Sequence, residues 1–447
     1  MSHRPSDHVT THVTGSPGQD SRRRPRVLQS ALKILLPGCA VLLSVGAACG
    51  AKTKGTPMSY NEVHAFLAQH TEVVELTNRD GARVAVCPQW QGRVMTSSCG
   101  GSNGASFGFV NREFIEEGKL NPHFNNYGAE ERMWLSPEGG QFSLWFKPGQ
   151  AQTLDNWFTP PVLNEGAWKV QSRPHEPLRM TAEMRFQNAS GSQFHLDVVR
   201  DVRLLETAEL GQLLGESARR TIARKGVRKV AYETRNQLTN RGEPMTREKG
   251  LVSIWILGML NSGPKTVVMV PYKDGPESAL GPVVKSDYFG VIPPDRLKIL
   301  PGVALFRADG KCRSKIGVPQ RRARNLLGSI DFQAGVLTLI QFTMPADPTS
   351  EPYMNNMWSN EPLAKPYMGD VVNSYNDGPP APGKKGLGPF YEVESLSPTK
   401  ALRPGESLAH CHRTIHIQAD PATLDQLARD LLGVDLDTVR RQMLETP

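Results

Sequence analysis

Residues 388–418 read GPFYEVESLSPTKALRPGESLAHCHRTIHIQ, and this stretch contains two strand patterns separated by a Pro-Gly turn. Phe390–Ser395 and Ala409–Gln418 contain aromatic and β-branched residues and alternate along the chain between two kinds of position. Alternation with a period of two is typical of a strand whose two faces meet different surroundings. The stretch therefore predicts two β-strands joined by a turn-rich loop.

The polar positions of these two strands are candidates for proton transfer. Successive side chains of a strand point to opposite faces, so Glu392 and Glu394 share one face. The second strand carries a row on one face, namely His410, His412, Thr414 and His416. Carboxylates and imidazoles titrate near neutral pH when their surroundings perturb them. Glu392, Glu394 and His412 are therefore catalytic candidates, and His410 is a substrate-binding candidate.

Two other interpretations of the histidine row stay open: the polar outer face of an exposed sheet, and a His-x-His metal site. A metal site usually needs three protein ligands. At the strand rise, His416 lies about 13 Å beyond His412, which is too far to join the same ion. We therefore expect no metal here.

Similar patterns predict a protein made mainly of β-strands. The 41 Gly and 35 Pro residues are too many for a helical bundle and suit strands, turns and long loops. We expect a large antiparallel β-sandwich with a few short helices, in a single domain covering residues 59–447. The further predicted strands are Val73–Leu76, Ala82–Val86, Phe142–Phe146, Leu178–Gln187, Phe194–Leu204, Lys229–Leu238, Val252–Leu260, Lys265–Val270, Val303–Ala308 and Val336–Thr343.

Helical patterns are few. A capping box at Ser59 and Glu62 begins the first helix, and Pro421 occupies the first position of a C-terminal one. Residues 346–389 lack periodicity and predict a long loop, which in a compact domain is usually functional. The predicted helices are about Tyr60–Gln69, Glu206–Ile222, Asp420–Gly433 and a last one reaching about Met443.

The N-terminal region has the order of an export signal. A basic block at 22–26 precedes the apolar stretch Ile34–Ala48, and Cys49 follows small residues. This order resembles a bacterial lipobox, whose cysteine is lipidated. We expect a signal region at 1–48, comprising a polar extension and a signal peptide, and a tether at 49–58. The protein would be exported to the bacterial cell envelope, in the periplasm or on the outer surface, and anchored to a membrane by lipid on Cys49. An uncleaved anchor and an ordinary secretory signal stay open.

The charge balance argues against nucleic acid as a partner. The formal net charge is +8, and half of it comes from residues 1–48. The remaining surface is nearly balanced, so electrostatic attraction to a polyanion is weak. The sequence leaves open whether Cys87, Cys99, Cys312 and Cys411 are thiols or disulfides.

Residues 123–142 concentrate polar and aromatic side chains. Amides and carboxylates bind sugar hydroxyls, and aromatic faces cover the apolar C–H patches of a sugar ring. A solvated loop with a structural Glu–Arg pair is the alternative. The substrate-binding candidates of this segment are Asn125, Glu130, Arg132, Trp134 and Gln141, with His123 as a catalytic candidate.

Residues 369–378 offer the same mixture inside the long loop. Asn373, Tyr375 and Asp377 can bind hydroxyl groups, although Asn376-Asp377-Gly378 is also ordinary turn chemistry. The long loop also offers Trp358. We predict that segments 123–141, 358–377 and 392–412 meet on one face of a sheet.

Several motifs carry a family resemblance. Tyr391–Pro398, Leu402-x-Pro-Gly-Glu406 and the histidine-rich strand resemble the C-terminal part of galactose mutarotase-like proteins. Gly128–Trp134, Pro137–Ser143 and Ser253–Met259 resemble an uncharacterised family of exported bacterial proteins with that fold.

The resemblance implies a β-supersandwich and a sugar as ligand. Aldose epimerases of this superfamily use a glutamate base on the anomeric hydroxyl and a histidine acid on the ring oxygen. Glu392 or Glu394 stands where the base is expected, and His123 is the candidate acid by chain order. Because one fold supports many chemistries, resemblance does not fix the reaction.

Three hypotheses follow. The first is an aldose epimerase-like enzyme that transfers protons between Glu and His without metal or organic cofactor. The second is a non-catalytic glycan-binding surface lipoprotein. The third and weaker one is a polysaccharide lyase, for which Arg132, Arg313 and Lys315 could neutralise a uronate.

Overall fold

The computed structural model describes residues 58–172 and 177–445. Cys49 and the predicted signal region lie outside these ranges, so the lipidation and export predictions stay predictions. None of the helices in the described ranges is both long and apolar enough to cross a membrane.

Strands dominate the structure, as the alternating patterns predict. In chain order they are β1 (Val74–Thr77), β2 (Arg83–Cys87), β3 (Arg93–Ser98), β4 (Arg132–Ser136), β5 (Lys169–Val170), β6 (Leu178–Gln187), β7 (Gln193–Leu204), β8 (Arg228–Asn240), β9 (Ser253–Asn261), β10 (Thr266–Pro271), β11 (Leu297–Leu300), β12 (Val303–Arg307), β13 (Ser314–Pro319), β14 (Leu326–Asp331), β15 (Val336–Phe342), β16 (Asp370–Asn376), β17 (Phe390–Leu396) and β18 (Ser407–Gln418).

The helices are short. They are α1 (Tyr60–Ala68), α2 (Arg112–Glu117), α3 (Pro161–Asn164), α4 (Thr207–Leu214), α5 (Glu216–Ile222), α6 (Glu277–Leu280), α7 (Pro421–Leu432) and α8 (Leu436–Met443). Ser59 and Glu62 form the predicted capping box of α1, and Asp420 caps α7. The single helix predicted over 206–222 is instead two, because Gly215 adopts φ 90° between α4 and α5.

Two large antiparallel sheets make the body of the fold. One has ten strands in the order β11-β12-β10-β14-β15-β18-β8-β7-β6-β5, and the other has five in the order β13-β16-β17-β9-β4. A small sheet, β1-β2-β3, supports α1 through a shared apolar cluster. The predicted fold class, mainly β with antiparallel sheets and a few short helices, is confirmed.

The two large sheets pack face to face. Ser395 on β17 places its Oγ 2.8 Å from the Nε2 atom of His410 and 2.8 Å from the Nδ1 atom of His412, both on β18. Between the sheets also lies the largest apolar cluster of the described chain. The sandwich interior is therefore closed to a ligand at this point.

The outer faces of the two sheets differ. Helices α4, α5, α7 and α8 cover the ten-stranded sheet, where Leu427 and Ile222 share an apolar cluster with Leu339 and Ile415. The five-stranded sheet turns its outer face toward long connecting segments instead, and that difference leaves room for a cavity there.

Three predicted elements need correction. Phe142–Phe146 is not a strand: its amide at Leu144 donates to the carbonyl of Pro137, and the chain bends back. Its apolar side chains are buried at neighbouring positions, which a two-faced strand does not show. The long loop 346–389 contains strand β16, and the segment 123–142 contains β4. The four cysteines left open by the sequence are free thiols, namely Cys87, Cys99, Cys312 and Cys411.

Candidate functional site

The outer face of the five-stranded sheet forms the floor of a cavity of about 590 Å³. Strand register decides which side chains reach it. Lys315 pairs with Tyr375, which pairs with Glu392, so these three side chains form a row on this face. The next row runs from Asn373 through Glu394 and Leu257 to Arg132, and a third pairs Trp255 with Trp134.

Nine aromatic residues line the cavity. Trp134 is central, with its ring centroid 5.7 Å from that of Trp255 and 5.6 Å from that of Phe124, both edge-on. Flat apolar faces around a polar floor are the surroundings that a sugar ring needs. The aromatic lining residues are Phe114, Phe124, Trp134, Trp157, Trp255, Phe289, Trp358, Tyr375 and Phe390.

Two ion pairs cross on the cavity floor. The Arg132 Nη2 atom lies 2.9 Å from Glu392 Oε1, and the Lys315 Nζ atom lies 3.2 Å from Glu394 Oε2. Each cation pairs with a carboxylate of the neighbouring row, because Arg132 belongs to the row of Glu394 and Lys315 to the row of Glu392. Positive and negative charges therefore alternate around the floor, and both pairs are buried.

Burial gives Glu392 an unusual protonation equilibrium. Desolvation raises the pKa of Glu392 to about 7, with Arg132 opposing this rise and Glu394 adding to it. Burial alone would lower the pKa of Lys315, but the carboxylates of Glu394, Glu138 and Glu392 outweigh burial and raise it. A carboxyl that exchanges its proton near neutral pH stands beside a lysine that stays charged.

Glu394 lies deeper than Glu392. Its Oε2 atom accepts a hydrogen bond from the indole Nε1 of Trp255 at 2.8 Å as well as the Lys315 contact. Its side chain is fully buried, and it is absent from the cavity lining. Glu394 thus holds Lys315 and Trp255 in place.

Glu138 brings a third carboxyl to the cavity. It lies two residues beyond the end of β4, and its Oε1 atom accepts a hydrogen bond from Trp157 Nε1 at 2.9 Å. Burial raises the pKa of Glu138, although Lys315 and the Trp157 indole act in the opposite direction. Glu138 is therefore a second carboxyl that holds a proton more readily than usual.

His123 also lines the cavity. Its Nδ1 atom lies 2.7 Å from the carbonyl of Trp157, so it donates there, and its ring stacks on Phe158 at 3.9 Å. Within the described chain, its Nε2 atom makes no hydrogen bond. His123 can present only that one nitrogen to a ligand.

The opposite wall carries Tyr375 and Asp377. The Tyr375 hydroxyl donates to Asp377 Oδ1 at 2.7 Å, and the Asp377 Oδ2 atom accepts from the amide of Gly388 at 2.9 Å. Arg313 stacks over Phe289 with its Cζ atom 3.9 Å from the ring centroid. These contacts link the segment after β16 to the segment before β17.

The structure brings six of the thirteen predicted site residues together in this cavity, from three distant segments. Trp358 also joins them, as the convergence prediction for its segment requires. The predicted site residues that line the cavity are His123, Arg132, Trp134, Tyr375, Asp377 and Glu392.

His410 and His412 do not belong to this cavity. Glu394 and Ser395 are neighbours on β17 and point to opposite faces, and it is Ser395 that meets both histidines. Burial lowers the pKa of His410 to about 3 and that of His412 well below its ordinary value. The expected pairing of Glu392 with the histidine row is therefore corrected: a sheet separates them.

Three further candidates have structural partners instead. Asn125 is buried against Asn164, and Gln141 exchanges two hydrogen bonds with the backbone of Leu363. Asn373 is on the cavity face of β16 but lies under Tyr288, whose hydroxyl is 3.4 Å from its Nδ2 atom.

Glu130 lies at a different place. It accepts hydrogen bonds from the amide and hydroxyl of Ser97, each at 2.6 Å, and its Oε1 atom lies 3.0 Å from His416 Nε2. His416 lines a second cavity of about 640 Å³ with Phe107 and Tyr391. Both carboxylate oxygens of Glu130 accept hydrogen bonds from Ser97, so this network accounts for the buried carboxylate without a ligand.

Sequence patterns alone did not select several lining residues as site candidates. Trp157, Trp255 and Trp358 are isolated in the chain, and Trp255 sits in an apolar strand where a core role is expected. Glu138 was not selected as a candidate, and Lys315 was considered only as a cation for the lyase hypothesis. The one usable signal is the number of tryptophans, seven in all, of which four line this cavity.

Several solved structures are similar to this chain, and they are galactose mutarotase-like proteins. A putative aldose 1-epimerase from Escherichia coli K12 is 13% identical, with 78% of this chain and 99% of that chain covered and a TM-score of 0.44. A galactose mutarotase related enzyme from Lactobacillus acidophilus is 9% identical, with 78% and 99% covered and a TM-score of 0.41. A galactose mutarotase-like protein from Lactobacillus casei is 9% identical, with 78% and 100% covered and a TM-score of 0.39.

No curated protein matches the chain. A family model does match it over residues 58–443, which is nearly the whole of the described part. The uncharacterised family expected from the motifs is thereby confirmed at the level of the family. The chain belongs to the family described as "Family of unknown function (DUF6786)".

Proposed function

We propose that this protein binds a sugar ring in the cavity of the five-stranded sheet and interconverts its anomers by proton transfer through Glu392. The observation that carries the proposal is a single arrangement: a buried carboxylate, paired with Arg132 at 2.9 Å, at the floor of a tryptophan-lined cavity. The size of about 590 Å³ is within the usual range of small-molecule sites.

The polar and apolar lining supports a sugar more than an apolar ligand. Trp134 and Trp255 offer ring faces, whereas Glu392, Asp377 and His123 offer hydrogen-bonding groups from different sides. A sugar has both kinds of surface, C–H patches and hydroxyls, on one small ring. An apolar ligand would displace water from these polar groups without replacing its hydrogen bonds, which costs free energy.

Proton transfer needs a base that is ionised in part of the molecules at neutral pH. With a pKa of about 7, Glu392 is both available as carboxylate and basic enough to accept a proton from an anomeric hydroxyl. Arg132 keeps the carboxylate oriented. Ring opening also needs a proton at the ring oxygen, and His123 and Glu138 line the same cavity.

A lyase is less well supported than an epimerase. Of the three cations suited to a uronate, Arg132 and Lys315 are already paired with Glu392 and Glu394. Only Arg313 remains without an ion pair in the described chain, which leaves little positive charge for neutralising a substrate carboxylate.

The test is the rate of anomer interconversion for a panel of aldoses, measured by NMR or polarimetry. We expect catalysis above the spontaneous rate for at least one sugar, and a loss of about 100-fold or more in Glu392→Gln. The matched control is Glu183→Gln, which removes an exposed carboxylate on β6, a strand that does not line the cavity. Sugar binding without interconversion would favour the glycan-binding alternative and refute the enzyme proposal.

The proposal places this activity in the cell envelope, with Cys49 as the lipid anchor. Metabolic labelling with a fatty acid analogue, compared between the natural chain and Cys49→Ser, tests the anchor separately. Equal labelling of both forms would contradict it and leave the sugar proposal untouched.

A further inference from the structure

We infer that Glu138 is the proton donor to the ring oxygen and forms a catalytic carboxyl pair with Glu392. This inference rests on the proposed function and deepens it, because it replaces the expected histidine acid with a carboxyl. It starts from the position of Glu138 on the same cavity as Glu392.

The backbone of Glu138 is fixed on both sides. Its amide donates to Asn356 Oδ1 at 2.8 Å, and its carbonyl accepts from the hydroxyl of Ser143. The next residue, Gly139, packs so closely that an added Cβ would lie 2.4 Å from the carbonyl of Met357. A catalytic group must be held this firmly to keep its geometry through the reaction.

The side chain of Glu138 is directed by an indole. Trp157 Nε1 donates to Oε1 at 2.9 Å, and the side chain of Trp358 also hydrogen-bonds to this carboxyl. Glu138 and Glu392 both interact electrostatically with the ammonium of Lys315, so the two carboxyls flank one cation. Enzymes that act at an anomeric centre commonly place two carboxyl groups around the sugar.

The surroundings assign different protonation states to the pair. Glu392 has a guanidinium partner at 2.9 Å, which favours its carboxylate form. Glu138 has no ion pair within 4 Å in the described chain, and burial raises its pKa. Two carboxyls whose environments differ in this way divide into a base and an acid.

Glu392 takes the proton of the anomeric hydroxyl, and that oxygen becomes the carbonyl oxygen of an aldehyde. The bond between the anomeric carbon and the ring oxygen breaks at the same time, and the ring oxygen receives the proton of Glu138. The open-chain aldehyde then turns its carbonyl by bond rotation. Ring closure on the other face returns one proton to Glu138 from the attacking hydroxyl and one from Glu392 to the new anomeric oxygen.

His123 has another explanation. Its Nδ1 atom donates to the carbonyl of Trp157, the same residue whose indole holds Glu138. His123 is thus a positioning residue for the Trp157 segment. Asparagine at this place would preserve a donor near the Nδ1 position while removing the imidazole.

The experiment compares Glu138→Gln with His123→Asn, using the aldose that the natural protein converts fastest. For Glu138→Gln we expect a loss of 10²- to 10⁴-fold in kcat, sugar affinity within about threefold, and loss of the alkaline limb of the pH–rate profile. The limb disappears because the natural acid must be protonated, so activity falls as pH rises through its pKa. For His123→Asn we expect a smaller loss in kcat than for Glu138→Gln, with the alkaline limb kept, because His123 only positions the Trp157 segment. The control Glu183→Gln, at an exposed carboxylate outside the cavity lining, should leave both kcat and the pH profile unchanged.

The outcomes separate the two proposals. An active natural protein whose Glu138→Gln variant keeps its rate and alkaline limb overturns the role of Glu138 and leaves Glu392 standing. Loss of activity in His123→Asn, with the limb moved, assigns the acid to His123 and also overturns the inference. A natural protein that binds sugars but converts none overturns both proposals. If Glu138→Gln unfolds, Glu138→Asp keeps the acid on a shorter side chain, and an unchanged rate in that variant counts against the inference.

Discussion

The pKa of Glu392 makes a quantitative prediction about stability. A folded-state pKa of about 7 against an ordinary value of 4.5 means that folding disfavours the ionised carboxylate. Because the folded pKa is the higher one, this carboxyl favours the folded state below pH 4.5, and that contribution is lost as pH rises through about 7. From pH 5 to pH 8 the loss amounts to about 2–3 kcal/mol, calculated from these two values at about 1.4 kcal/mol per pKa unit.

Urea denaturation of the natural protein and of Glu392→Gln at pH 5, 6, 7 and 8 measures this loss. The glutamine cannot ionise, so the natural protein should lose about 2–3 kcal/mol relative to the variant over that range. Arg132 stays charged throughout and shifts the variant by a constant amount, which the comparison removes. The control is Glu183→Gln: salt bridges lower the pKa of exposed Glu183, so its titration lies below this range. A difference between natural protein and Glu392→Gln that does not change with pH would refute the reasoning, since Glu392 would then be ionised already at pH 5.

Three further substitutions test the packing around the site and the fold. Gly317→Ala should destabilise the protein by about 1–3 kcal/mol in denaturant unfolding, because its Cβ would lie 2.6 Å from the Tyr288 hydroxyl. Trp255→Phe should cost about 1–3 kcal/mol by the same measurement, because buried Glu394 loses an indole donor at 2.8 Å; no change would mean that Lys315 alone satisfies Glu394. Leu427→Ala should lower the free energy of unfolding by about 2–5 kcal/mol while leaving sugar affinity intact, because Leu427 lies on the buried face of α7, which packs on the ten-stranded sheet and not on the cavity sheet.

Strands whose two faces meet unlike surroundings could be predicted from their sequence period. Strand β6 runs over Leu178–Gln187, the predicted bounds, and its buried and exposed positions largely alternate. Strand β18 likewise keeps its polar row on one face and its isoleucines on the other. In both strands a single sequence period reports a physical boundary between two environments.

Two of the strands that carry the site, β4 and β16, could not be predicted in this way. In β4 and β16 every residue is buried, and Arg132 and Tyr375 occupy the face that a core strand would make aliphatic. Their sequences therefore resemble polar loops. Local pattern and global fold disagree there because the cavity, rather than the packing, selects these residues.

The sequence also could not tell which side of a sheet a polar row faces. Period-two reasoning correctly grouped Glu392 with Glu394 and His410 with His412. It could not show that β17 and β18 lie in different sheets, with Ser395 between the histidines and the carboxylates. That relation depends on pairing between segments far apart in the chain, which one strand does not encode.

The two sides of strand β17 show how the molecule treats buried polar groups. On the inner side, Ser395 is hydrogen-bonded to two histidines whose pKa values are lowered, so both imidazoles are uncharged and lie enclosed between the two sheets. On the outer side, Glu392 is charged in part, held by one guanidinium, and open to a cavity. Neutral, mutually satisfied groups cost little in a core, whereas an incompletely paired carboxylate costs several kcal/mol. A chain that needed only a stable sandwich would have no use for that cost on the outer face, so the cavity side is where function should be sought.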